Sequence, residues 1–151
     1  MYELILALHI IAVVVAFGPV FSYPVGLRAA RAAGPAALAT FHRGQVLLVR
    51  YGAFAALVVL VAGIYMALDR FSLGDPWISA TFLILIVLMG LYGAVLGPTE
   101  RRAAELATAG ADGGRPSAEY DAAAKRLSLV MTVASVLVAV AIVLMTVKPG
   151  I

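Results

Sequence analysis

The 151 residues contain no cysteine. That excludes thiolate ligation of zinc, copper or iron–sulfur clusters, disulfide scaffolds and dithiol redox chemistry. Charge is scarce as well: Asp, Glu, Lys and Arg make up 13% of the chain, about half the share of a soluble domain. There are two histidines and one tryptophan. The basic residues stand beside apolar runs with no aromatic-basic face among them, so the net charge of +3 points to lipid headgroups and not to nucleic acid.

What is abundant is hydrocarbon. Hydrophobic residues make up 64% of the sequence and the mean hydropathy is +1.05. So few polar groups cannot cover a water-facing exterior, which leaves a membrane protein. A bilayer core of roughly 30 Å needs about 20 apolar residues in a helix. Four runs are long enough, about 4–27, 46–68, 77–96 and 127–147. Backbone groups in lipid must be satisfied within their own segment, so all four are read as helices. The expected fold is all-α, an antiparallel four-helix bundle in one transmembrane domain. The first run has Glu3 where a signal peptide would be basic, and it reads as a span and not as a cleaved leader.

Arginine and lysine are unevenly distributed over the connections. Nine fall on the side of connections one and three, and two, Arg70 and Lys148, on the other. The positive-inside rule then places the arginine-rich side in the cytoplasm and both termini outside it, in a bacterial inner membrane. Arg28, Arg31, Arg43 and Arg50 are expected at the lipid interface with Trp77, and Arg50 can snorkel to headgroups. Tyr2, Tyr65 and Phe71 with Trp77 on one side, and Phe21, Tyr23, Phe41 and Tyr51 on the other, read as interfacial belts. Residues 98–126 read as a helical hairpin of solvated extensions, capped by Thr99 and Ser117 and broken over 109–116. Pro19 and Pro24 are expected to bend or end the first span.

Close helix approach in lipid relies on small residues. Gly90, Gly93 and Gly97 in the third run, Gly52, Ala56 and Gly63 in the second, and Ser128, Thr132, Ser135 and Ala139 in the fourth are the expected seams. Each is equally open to use as a self-association face.

Ionisable groups inside a span are functional candidates by default. Two qualify, His9 and Arg50. His9 lies about five residues, roughly 8 Å, below the outer end of its helix. Tyr65, Met66, Ser79, Thr81, Met145 and Thr146 share its level. Imidazole with thioether suits copper(I) or haem iron, so His9, Tyr65, Met66 and Met145 form a candidate cofactor set with His9 as metal ligand. The alternatives at His9 are a hydrogen bond to a neighbouring hydroxyl and a proton relay. His42 is expected at the opposite face as an interfacial residue, unable to join His9 on one haem.

Leu8-His9-Ile10-Ile11-Ala12-Val13-Val14, with Phe17-Gly18 and Tyr23-Pro24 after it, resembles the first helix of a group of small bacterial membrane proteins. The group includes the HemJ-type protoporphyrinogen oxidase, the membrane domain of copper-resistance protein D, and several four-helix families of predicted integral membrane proteins. The chain as a whole looks most like one of those predicted families. The resemblance implies a haem b role for His9. The oxidase, however, has a His and a Lys at the positions of Ser79 and Thr81, a Trp at Ala16 and an Arg at Val25, so its activity is not implied.

The leading expectation is a non-catalytic, accessory membrane protein with haem b or a copper ion at His9. The alternatives are a structural subunit or assembly factor of a larger membrane complex, and a small proton-coupled transporter acting as a dimer. The absence of paired intramembrane carboxylates counts against the last.

Overall fold

The computed structural model describes residues 1–111, 114 and 116–149. Among these there is no strand, and four helices are long and apolar enough to cross a membrane. α1 spans Tyr2–Ala33 and α2 spans Pro35–Arg70. α3, Pro76–Gly90, continues through a π-helical stretch, Leu91–Leu96, into α4, Gly97–Ala109. α5 spans Ala118–Val147. The chain is an antiparallel four-helix bundle. α1 packs on α2 and α5, and the α3–α4 rod packs on the same two from the other side.

The seams follow a heptad rhythm. On α2 the buried positions include Leu38, His42, Gln45, Val49, Gly52, Ala56 and Val59, and on α5 they are Tyr120, Ala124, Leu127, Met131, Ala134, Val138 and Ala141. Steps of four and three keep one stripe facing the partner when helices cross at a shallow angle. Alanines supply much of the close approach; Ala16, Ala56, Ala103 and Ala134 are fully buried. The outward stripes are apolar too. Phe54, Val25, Val61 and Leu129 are each at least 65% exposed, an exterior suited to lipid and not to water.

The helices overrun the apolar stretches. α1 and α2, of 32 and 36 residues, are about 48 and 54 Å long by their rise, against a core of roughly 30 Å. Neither Pro19 nor Pro24 ends α1. The first connection is reduced to Gly34, whose φ of +105° an L side chain rarely adopts, and Pro35 then starts α2 with a φ already helical. Thr99 does not cap a new helix, because α3 runs on through the π stretch into α4. Ser117 does cap α5, its Oγ accepting from the Tyr120 N–H at 3.1 Å. Between the two lies the expected break; of its residues, Asp112, Gly113 and Arg115 lie outside those described. The extensions are not merely solvated. Glu100, Ala103, Ala107, Tyr120 and Ala124 are buried, because α1 and α2 extend alongside them.

The π stretch redirects the third rod. One extra residue in a helical turn rotates the remainder of the rod by about 100°. Tyr92 continues the buried stripe of Leu85 and Leu88, and its hydroxyl donates to the Ala16 carbonyl at 2.6 Å; across the π stretch the stripe shifts to Leu96, Glu100, Ala103 and Ala107. Gly90 and Gly93 lie on the outward face, and a Cβ on either would meet nothing within 4 Å. They are not seams within the chain; Gly97 is half-buried and closes the π turn by donating its N–H to the Tyr92 carbonyl. The expected α5 stripe is offset from the buried one as well. Thr132 is exposed, Ser128 and Ser135 are half-buried, and the Thr132 and Ser135 hydroxyls donate to carbonyls of their own helix. Hydroxyls satisfied in that way do not require a place in a seam.

Candidate functional site

α2 packs closely along α4 but only lightly along α3. At the end where α3 begins, the bundle leaves a half-open cavity of about 250 Å³. Its wall is apolar, with side chains from all four spans, among them Phe17, Val59, Phe82, Leu85 and Val138. His9 reaches into it from the buried face of α1. The imidazole lies against Gly63, where a methyl group would stand 3.5 Å from its Cε1. The Val59 backbone stands beside the ring, but no contact of the buried Nδ1 meets hydrogen-bond geometry.

Met66 and Met145 line the same cavity, and so do Thr81, Trp77 and Lys148. Three of the four residues in the expected cofactor set therefore line one cavity. Tyr65 does not: it is 44% exposed, one step round α2 from Met66, and is absent from the wall. The Thr81 hydroxyl is engaged by the Trp77 carbonyl at 2.7 Å. Ser79 and Thr146 are exposed, their hydroxyls donating to the Leu73 and Ile142 carbonyls. No hydroxyl of that level is bonded to His9.

Trp77 is also placed differently from the expectation of a lipid-facing belt. It is buried, edge-on to Phe71 at 5.2 Å between ring centroids, with the Lys148 ammonium 4.8 Å from the Phe71 ring and 5.7 Å from its own. Its Nε1–H, like His9 Nδ1, has no partner. Two buried nitrogens without partners on one apolar cavity call for an explanation. Arg28, Arg31, Arg43 and Arg50 are all exposed.

The opposite end holds a second polar group of side chains. His42 is completely buried, not interfacial. Its Nδ1 is 2.7 Å from Glu100 Oε2, and its Nε2 is 3.0 Å from the Tyr120 hydroxyl. Phe41 packs between the rings of His42 and Tyr23, 5.2 and 5.4 Å away by centroid. Tyr23 is fully buried too, and its hydroxyl and Glu100 Oε1 have no hydrogen-bond partner. Gly63, beside His9, is 21 residues from His42, about 31 Å along α2. The two imidazoles cannot share a ligand within one chain.

Nothing in composition or run length singled out this network, because His42, Glu100 and Tyr120 all lie outside the apolar runs. The signal that could have found it is the α2 heptad stripe, which continues through His42 without a change of phase.

Residues 3–149 match the profile of a family described as predicted integral membrane protein, DUF2269. The chain belongs to that family. The match covers nearly the whole length of this DUF2269 chain, and it gives no evidence for a likeness to the HemJ-type oxidase or to copper-resistance protein D. No curated protein and no solved structure matches it.

Proposed function

We propose that this DUF2269 protein is a non-catalytic, accessory protein of the bacterial inner membrane whose working site is the His9 cavity. In this reading both termini lie outside the cytoplasm, in line with the arginine asymmetry. The observation that carries the proposal is the buried, unpaired Nδ1 of His9 in a cavity shared with two thioethers. A nitrogen and one or two thioether sulfurs are a donor set for copper(I), which a cavity of about 250 Å³ admits; the same donors suit haem iron, for which the cavity would have to widen to take the macrocycle. His9 would hold the metal and Met66 or Met145 would complete the set, while the apolar wall would exclude water and keep the metal in its softer, reduced state.

Trp77 favours a second reading. Its free N–H and His9 could together grip an acceptor atom on a small, otherwise apolar molecule. At about 250 Å³ the cavity lies just under the range of roughly 300–1,000 Å³ for drug-sized ligands.

Purified protein in detergent should be titrated separately with haem b and with copper(I) under reducing conditions. A Soret shift or a stoichiometric copper signal, lost in His9→Ala and weakened in Met66→Leu or Met145→Leu, supports the metal reading. Protein that takes up neither metal centre, with a normal circular dichroism spectrum, overturns it. Loss of a co-purifying organic molecule in Trp77→Phe would then carry the second reading.

A further inference from the structure

The geometry points to a proton-binding site at the arginine-rich end, made of Glu100, His42 and Tyr120 with Tyr23 beside them. It is independent of the His9 cavity.

Each helical rod contributes one group: Tyr23 from α1, His42 from α2, Glu100 from α4 and Tyr120 from α5. Glu100 and His42 are 0% exposed. The charged group facing them from α1 is Arg31, whose guanidinium stands 6.0 Å from the centre of the Tyr120 ring and pairs with Asp121 at 3.6 Å. Among the described residues neither Arg nor Lys forms an ion pair with Glu100. The other polar side chain on that face, Gln45, carries no charge. A buried carboxylate without a counter-ion is expensive, and among the described residues His42 is the one group in contact with Glu100 that can neutralise it. The Glu100–His42 pair is electrically neutral only when it holds one proton beyond that of the neutral imidazole.

The order of contacts provides a route for that proton. An imidazole with a carboxylate on Nδ1 and a hydroxyl on Nε2 can accept a proton on one nitrogen and release one from the other. Tyr120 forms part of the wall of a cleft of about 10 Å³ with Pro35, Leu38, Leu106 and Gly110, about the space one water needs. A hydronium proton binds the Tyr120 oxygen as the phenolic proton passes to His42 Nε2. The Nδ1 proton of the resulting imidazolium passes to Glu100 Oε2. Tyr120 ends as a phenol, His42 as the Nε2–H tautomer and Glu100 as a carboxylic acid, with one proton gained and no electrons moved. The unpaired Glu100 Oε1 and Tyr23 hydroxyl extend the site toward the bundle interior.

A hydrogen-bonded tie that merely holds four helices together would need the same contacts but no exchange of protons. Infrared difference spectra of the full-length protein in nanodiscs, recorded after pH jumps, separate the two. The expected result is a carboxylic-acid C=O band that titrates in the wild type and in His9→Ala and is absent from Glu100→Gln. Tyr120→Phe, which removes one hydroxyl and keeps the ring packing, should slow proton uptake roughly 10²-fold. A band that persists in Glu100→Gln, or wild-type uptake rates in Tyr120→Phe, overturns the assignment. Should Glu100→Gln fail to fold, nitrogen-15 spectra of His9→Ala report on His42 as the sole histidine with the network intact. Ring-nitrogen shifts that move with pH support the proposal, and shifts that stay fixed overturn it.

Discussion

Tyr92 and Ala16 are joined by a hydrogen bond that crosses the bundle over Gly52. The phenol donates to the Ala16 carbonyl at 2.6 Å, and the ring occupies the space a Gly52 side chain would need. A Cβ there would stand 2.8 Å from Tyr92 Cε1 and 3.1 Å from the Ala16 oxygen. The ring is buried and tethered, so it cannot yield cheaply. Gly52→Ala should therefore destabilise the bundle by about 1–3 kcal/mol, read as unfolding in mixed micelles. Tyr92→Phe should cost roughly 0.5–2 kcal/mol. In the double variant the two costs should not add, since both act on one contact.

Gly34 should tolerate substitution less well than Gly18. At φ +105° a side chain is strained whatever the space, and Gly34→Ala should cost about 1–3 kcal/mol. Gly18 lies in α1, where an added methyl would meet nothing within 4 Å, and Gly18→Ala should leave stability unchanged or improve it by about 0.5–1 kcal/mol. Thermal unfolding of the two variants side by side checks the contrast.

Removing Glu100 should matter far more than removing an exposed partner. Glu100→Ala strands His42 Nδ1 in a fully buried position and should cost about 3–5 kcal/mol, while Glu100→Gln keeps the shape and an acceptor and should cost less. Arg102, exposed on α4 and paired with Glu105 and Glu119, should give an unchanged midpoint on conversion to Ala.

Filling the His9 cavity should abolish ligand uptake without unfolding the chain. Gly63→Leu projects into the space beside the imidazole, whereas Gly63→Ala makes only an ordinary contact with it at 3.5 Å. Equal metal or ligand uptake by both variants would disconnect the cavity from binding.

Reporter fusions test orientation. Alkaline phosphatase fused at either terminus should be active and a cytoplasmic reporter inactive; the reverse pattern would turn the protein over and place the His42 network outside.

Run length and composition were enough to establish a membrane protein of four helices, since hydrocarbon thickness sets how many apolar residues a span needs and lipid forces the backbone into helices. They were also enough to bring His9, Met66 and Met145 to one level, because residue count along a span is depth. Level is not azimuth, however. Tyr65 shares the level and faces away, Gly90 and Gly93 lie off the Leu85–Leu88–Tyr92 stripe, and no spacing rule announced the π turn that shifts this stripe to Leu96 and Glu100. The seam small residues proved to be largely alanines at heptad positions, common enough in this sequence to be inconspicuous. The His42–Glu100–Tyr120 contacts, 58 and 78 residues apart along the chain, were decided only by packing. Helices longer than the bilayer keep their seam stripe running past the apolar stretch, and there polar residues are buried that hydropathy alone assigns to water.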